Sequence, residues 1–363
     1  MALLANRSVA VVHEWFSAVG GSERVFLAIA NLVPHATRYV LWSDPDAETG
    51  ALALSESWLA RTPLRHSKAL ALPVMPLVWR TLDRTRFDVV ISSTHAFAHT
   101  VRLGPPEQTR YLSYVHSPAR YLWAPGTDGR AANPLLTAPR RLLQAADVRL
   151  SRHVHAYAAS SREVQARVQR HWRRDATVIN PPVDVDFFAG APTGDRDQPR
   201  DYLLGVGRWV PFKNFDLMIA IAEAAGMPLQ IVGSGPGEAR LRRLAHAAAV
   251  PVTFHAPPTR QRLRQLYWGA CALLFPAHED FGIIPVEAQA CGTPVVGLRR
   301  GGLLETVVDG ETGVLVDSLD PGAYVPAVKR AGDLSADRIR AHAWKFSTER
   351  FDARMTEWIA DAA

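Results

Sequence analysis

The sequence predicts an α/β protein of two Rossmann-like domains, each with a parallel sheet covered on both faces, and three observations carry that prediction. Apolar runs of strand length alternate with helical stretches along the chain, the pattern of buried parallel strands. A length of 363 residues is more than one core needs and enough for two. Between Asn180 and Arg200 the composition changes to Pro-Pro-Val-Asp followed by Gly, Pro, Asp and Arg, the signature of a linker. The expected division is residues 1–180, a linker at 181–200, residues 201–335, and a helical segment at 336–363 that includes Ile339, Trp344, Phe346, Phe351, Met355 and Ile359.

In the first half, strands are expected at residues 9–12, 39–42, 89–91 and 111–115. The first of them ends at His13-Glu14, and Val19-Gly20-Gly21-Ser22-Glu23 then leads into a helix with Val25, Phe26 and Ile29 on its apolar face. Ser22 is the expected N-cap, and the paired glycines let the backbone approach a ligand closely. Strand, glycine turn and helix together make a candidate phosphate or sugar site, although an ordinary tight turn has the same sequence. Residues 59–86 mix Arg61, Arg65, Lys68, Arg80, Arg84 and Arg86 with apolar residues. They read either as a basic surface for peripheral membrane contact or as a solvated helix with a core face, and Pro73 and Pro76 argue against one long helix.

In the second half, strands are expected at residues 202–206, 229–232, 252–254, 273–275 and 294–297. Gly207-Arg208-Trp-Val-Pro-Phe-Lys213-Asn214 follows the first, and its two cations can face one anion. The glycine-rich run Val232-Gly-Ser-Gly-Pro-Gly237 is neither a Walker nor a Rossmann fingerprint, and a close-packed turn explains it. The most informative run is His278-Glu-Asp-Phe-Gly-Ile-Ile-Pro-Val-Glu-Ala-Gln-Ala-Cys-Gly-Thr-Pro-Val-Val296, with Glu279 in a strand-to-helix loop and Glu287 in the expected first turn of a helix starting near Pro285. The backbone N–H groups of Phe281, Gly282, Ile283 and Ile284 would lack intrahelical partners there and favour an anion such as a diphosphate. Carboxylates beside such a site accept hydrogen bonds from sugar or ribose hydroxyls.

Composition narrows the function classes. With 48% hydrophobic and 21% charged residues the chain reads as globular, and no apolar run approaches transmembrane length. The short apolar start gives no signal peptide, so a cytoplasmic location is expected, at the inner face of the membrane if the basic surface docks there. Net charge is +6 and the pI about 9.6, without a Lys/Arg block or a nucleic-acid-binding motif, so no nucleic acid is expected. Cys271 and Cys291 supply neither a disulfide framework nor metal-ligand spacing.

The run from His278 resembles the Glu-x7-Glu signature of retaining family-4 glycosyltransferases of the GT-B type, and Gly292-Thr-Pro-Val-Val296 fits it as well. Tyr-x-His-x-Pro-x-Arg-Tyr-x-Trp at Tyr114–Trp123 resembles bacterial O-antigen mannosyltransferases, as do Phe87–Ala98 and His155–Ser161. The resemblance implies two sheets facing a central cleft and a C-terminal helix that returns to the N-terminal domain. It implies transfer, with retention, of a sugar from a nucleotide-diphosphate donor, with GDP-mannose as the best guess, to a glycan or lipid-linked acceptor. The implied catalytic residues are His116, Arg208, Lys213 and Glu279. The implied donor-binding residues are Gly20, Gly21, Arg208, Lys213, Glu279, Phe281, Gly282, Ile283, Ile284 and Glu287. Glu279 would take donor-sugar hydroxyls, Glu287 the ribose, and Arg208 with Lys213 the diphosphate; Gly301-Gly302 would be structural. His95 and Ser160-Ser161 are placed near the cleft without a catalytic role. No cofactor and no metal are expected, because Arg, Lys and helix N–H groups can neutralise the leaving diphosphate, and Asp184-Val-Asp186 reads as a turn. Another nucleotide sugar, a non-catalytic sugar-nucleotide-binding subunit and a two-domain epimerase stay open.

Overall fold

The computed structural model describes residues 4–17, 20–44, 53–124, 137–190 and 200–363; Val19 and residues 191–199 of the expected linker lie outside them. The chain divides into two compact units, residues 1–182 with 349–363, and residues 183–348.

The first unit holds seven parallel strands: β1 (Val9–His13), β2 (Thr37–Val40), β3 (Ser55–Glu56), β4 (Val89–Thr94), β5 (Arg110–Val115), β6 (Ala156–Ala159) and β7 (Thr177–Val178), in the order β3-β2-β1-β4-β5-β6-β7. Both faces are buried, and the period-two geometry of a strand divides its residues between them. On β1, Ala10 and Val12 join Trp42, Met75 and Trp79 on one face, while Val9 and Val11 join Phe26 and Ile29 on the other. The helix Thr348–Ala362 completes that second face with Phe351, Met355, Trp358 and Ile359, which fall on one stripe at helical spacing.

The second unit holds six parallel strands: β8 (Tyr202–Val206), β9 (Leu229–Val232), β10 (Val252–His255), β11 (Ala270–Phe275), β12 (Val295–Leu298) and β13 (Gly313–Val316), in the order β10-β9-β8-β11-β12-β13. In each unit the winding reverses next to the first strand, between β1 and β4 and between β8 and β11. Open α/β sheets bind ligands outside the carboxyl ends of the strands at such a switch point, because the loops diverge there and leave a crevice.

Several expected boundaries change. Residues 183–190 are not linker: Asp184 accepts a hydrogen bond from the Phe187 N–H (3.2 Å), caps the helix Val185–Ala189, and seats Val185 and Phe188 in the core of the second unit. The segment expected at 336–363 is two pieces, since Ala343 and Phe346 pack into the second unit's core and only the last helix joins the first unit. Residues 58–80 form four short helices separated by Thr62, Ser67 and the Pro73 turn, with Leu70 and Leu77 exposed and Val78 and Trp79 buried. Among the described residues no helix is long and apolar enough to cross a membrane.

Candidate active site

The strand ends at the two switch points carry most of the residues singled out above. In the second unit, Gly207 follows β8 with φ +143°, a conformation open to glycine. It stands within about van der Waals reach of both the Lys213 side chain and Ile284: a Cβ there would lie 4.0 Å from Lys213 Cε and 3.7 Å from Ile284 Cδ1. Lys213 is nearly buried, and its ammonium pairs with the Glu279 carboxylate in the loop after β11. A lysine and a glutamate distant in sequence thus meet at the β8/β11 switch point. Asn214, at φ +54°, ties the two loops further by donating its side-chain amide to the Pro276 carbonyl (2.7 Å). Arg208 lies exposed on the same loop as Lys213.

The helix after β11 runs Ile283–Ala290, capped by Gly282 at φ +94°. It begins earlier than expected, so Glu287 sits one turn further in than the first turn. There it is buried and accepts a hydrogen bond from the Tyr267 hydroxyl (3.1 Å). The amides of Phe281, Gly282, Ile283 and Ile284 occupy the helix entry, where the macrodipole favours an anion.

Two glycine elements hold these loops. Trp209 N–H donates to the Ser234 carbonyl (2.9 Å) and Gly237 N–H to the Trp209 carbonyl (3.0 Å), so the run from Gly233 braces the Arg208 loop. Gly302 donates its N–H to the Glu279 carbonyl (2.8 Å), and a Cβ on it would lie 2.3 Å from the Phe281 backbone. Gly301 and Gly302 are therefore supports for the Glu279–Phe281 loop. Gly302→Ala should destabilise the protein by about 1–3 kcal/mol in urea unfolding, through forced backbone displacement; an unchanged midpoint would refute this role.

In the first unit, the ends of β1, β4 and β5 assemble a polar cluster. His13 pairs in register with Ser93, and the His116 N–H donates to the Thr94 carbonyl (2.9 Å). His116, partly buried, also places Nε2 2.8 Å from the Ser93 hydroxyl. The His13, His95 and His116 rings lie 5.4–6.2 Å apart between centroids. Burial, then His13 and His95, hold the His116 pKa well below its ordinary value, and burial followed by His95 lowers that of His13 to about 4. Glu14 is fully buried: its Oε1 accepts from the Thr94 hydroxyl and the Ala96 and Ala98 amides (2.8 Å each), and its Oε2 faces His95 Nδ1 at 3.4 Å. Burial pushes the Glu14 carboxyl up, but His95, His13 and the amide donors outweigh it and hold it below its ordinary value.

His13, Glu14 and His95 bring ligand-type atoms within 4.8 Å of one another. Glu14 already serves three donors with one oxygen and His95 with the other, so the cluster is organised as a hydrogen-bond network. Sequence reasoning placed His116 here and missed Glu14, His13 and Ser93. The one available signal was His13-Glu14 directly after an apolar strand, where a charged residue has no place in an ordinary core.

The glycine turn is built differently at its cap from what the sequence suggests. The helix Gly21–Leu32 is capped by Gly20 in extended backbone, and Ser22, already inside the helix, donates its hydroxyl to Glu23 (2.8 Å) instead of capping. Glu23 is buried and lies so close to Gly20 that a Cβ there would collide with its carboxylate. Gly20 is thus small to accommodate Glu23, and Gly21 lies exposed at the helix start.

Comparison with known proteins bears on the family and the fold. A family model described as "Glycosyltransferase Family 4" matches residues 19–187, and one described as "Glycosyl transferases group 1" matches residues 193–345. A D-inositol 3-phosphate glycosyltransferase of Acidothermus cellulolyticus is 40% identical over 200 residues, 47% of this chain and 44% of that protein. The chain spans about half the length of the curated relatives it matches. Among solved structures, sucrose-phosphate synthase from Thermosynechococcus elongatus aligns with TM-score 0.74 at 19% identity, covering 98% of this chain and 99% of that one. The Anabaena protein HepE, solved with UDP and glucose, aligns with TM-score 0.69 at 17% identity, covering 96% and 99%. The relatives do not single out O-antigen mannosyltransferases, so the finer resemblance gives way to a broader one. The chain belongs to the GT-B glycosyltransferases that join a family-4 half to a group-1 half.

Proposed function

We propose that the protein is a retaining glycosyltransferase that moves a sugar from a nucleoside-diphosphate donor to an acceptor hydroxyl. The observation that carries the reading is the Lys213–Glu279 pair at the β8/β11 switch point, beside the entry of the helix Ile283–Ala290. A diphosphate there meets the Lys213 ammonium, the Arg208 guanidinium and the helix-entry amides, and these stabilise the charge that grows on the leaving oxygen. Glu279, its lysine then shared with phosphate, accepts hydrogen bonds from donor-sugar hydroxyls, and buried Glu287 serves the ribose. In the first unit His116 donates to a sugar hydroxyl. As the bond from anomeric carbon to diphosphate breaks, the acceptor oxygen bonds that carbon on the same face and its proton passes to the departing phosphate.

The donor we put first is GDP-mannose, on the Tyr114–Trp123 motif. A second reading takes a UDP-sugar and an inositol phosphate acceptor; its supports are the relatives named for D-inositol 3-phosphate and the UDP held by HepE. Mass spectrometry of mixtures pairing GDP-mannose, UDP-glucose or UDP-N-acetylglucosamine with inositol 3-phosphate or a cell-extract glycan separates them. Each reading expects one added sugar and one released nucleoside diphosphate from its own pair. Donor binding without any product would favour a non-catalytic subunit, and a sugar change without acceptor an epimerase. A chelator should leave turnover intact; loss restored only by a divalent ion would overturn the metal-free reading. Exposed Leu70 and Leu77 among the arginines of residues 58–86 support a membrane-facing acceptor, which vesicle co-sedimentation can test.

A further inference from the structure

We propose that Ser93, itself oriented by His13, is a positioning residue that fixes which nitrogen of His116 carries the proton, so that this imidazole meets a sugar hydroxyl as an Nδ1–H donor. The inference rests on the proposed reading that His116 faces a sugar.

The Nδ1 of His13 lies 3.0 Å from the Ser93 carbonyl oxygen and 3.1 Å from the Ser93 hydroxyl oxygen. A carbonyl only accepts, so His13 Nδ1 must carry the hydrogen. That N–H is shared between the two serine oxygens, which makes the hydroxyl an acceptor on that side. The hydroxyl oxygen could accept a second time, but its single proton would then have no acceptor among the described residues; directed at His116 Nε2, 2.8 Å away, it is satisfied. His116 Nε2 is therefore the bare acceptor nitrogen, and a neutral imidazole then carries its hydrogen on Nδ1. The opposite wiring would set the His13 lone pair against the carbonyl lone pairs.

His13 bears a cost for this role. Its ring is fully buried, and its Nε2 has no hydrogen-bond partner among the described residues. A buried acceptor left unpaired is unfavourable, which an apolar side chain stacked on Phe26 would avoid; the ring centroids of His13 and Phe26 are 5.2 Å apart. The imidazole is accounted for by what its Nδ1 does to Ser93. The rest of the cluster does not compete for the Ser93 proton, since Glu14 takes its hydrogen bonds from Thr94 and the following loop.

The test is the tautomer of His116 in the full-length protein labelled with 15N-histidine, read from two-bond 1H–15N correlations near pH 7, with His116→Asn assigning the signal. The wild type should show protonated Nδ1. Ser93→Ala should shift His116 toward the Nε2–H form and lower kcat/KM for transfer about tenfold, the effect expected of one lost orienting hydrogen bond. Ser93→Thr, which keeps the hydroxyl, should restore both, and thermal melts verify that each variant is folded. A wild-type Nε2–H pattern, an unchanged tautomer in Ser93→Ala, or a changed tautomer with unchanged kcat/KM would each overturn the proposal. The spectrum needs no turnover, so failure to find any donor would sink the reaction assignment and leave the tautomer to be judged on its own.

Discussion

Replacing Lys213 by alanine should lower kcat/KM for sugar transfer by about 10²–10³-fold, the usual effect of removing one fixed positive group from a developing anion. Lys213 is nearly buried, lies against Phe275 (5.4 Å to the ring centroid), and is paired with Glu279, so solvent cannot readily replace its charge. The same substitution leaves the Glu279 carboxylate unpaired in a largely enclosed position. Glu279→Ala and the Lys213→Ala, Glu279→Ala double variant should consequently lose about as much as Lys213→Ala alone, because in the proposed site the two groups act on one donor. Arg208→Ala, on an exposed side chain, should lose less, and its effect should shrink as salt rises. A Lys213→Ala enzyme with wild-type kcat/KM, or a double variant whose loss is the full sum of the two single losses, would dismiss the site as drawn.

The largest stability effect is expected at Glu14. Glu14→Ala removes the acceptor for the Thr94 hydroxyl and the Ala96 and Ala98 amides at once and should cost about 3–5 kcal/mol in urea unfolding. Glu14→Gln, which keeps one acceptor oxygen, should cost less. The sign of the pH dependence follows from the lowered carboxyl pKa. Because the folded value lies below the ordinary 4.5, the ionised form favours folding, and its contribution is complete above that value and lost as pH falls through the folded pKa. The advantage of wild type over Glu14→Gln should be flat near pH 7 and shrink only below about pH 4.5. An advantage that grows on acidification would show that Glu14 is bound protonated.

The two kinds of site differ in how legible they were. Gly207, Lys213, Glu279 and the helix entry at Gly282 are local features: each lies in a loop directly after an apolar strand, and a strand followed by a loop and helix can be recognised from residue type and spacing. Glu14 and Ser93 were not legible, because Glu14 binds partners 80–84 residues away and Ser93 links His13, 80 residues away, to His116, 23 residues away. A glutamate after a strand is ordinary until β1 and β4 are known to be neighbours. The strands Ala156–Ala159 and Thr177–Val178 escaped for a different reason: alanine has little β preference, and a two-residue strand carries no period.

By itself the sequence determined that the chain is two parallel α/β units with a glycine-led helix entry after a strand of the second unit, because hydrophobic periodicity and chain breaks are properties of neighbouring residues. Tertiary structure alone decided which ends meet: the pairing of Lys213 with Glu279, the burial of Glu14 beneath the loop after β4, and the placing of His13, Ser93 and His116 in a row. The physical reason is that parallel strands join in register only through long crossovers. Residues that share a proton or a charge therefore come from distant parts of the chain, and no local pattern records their contact.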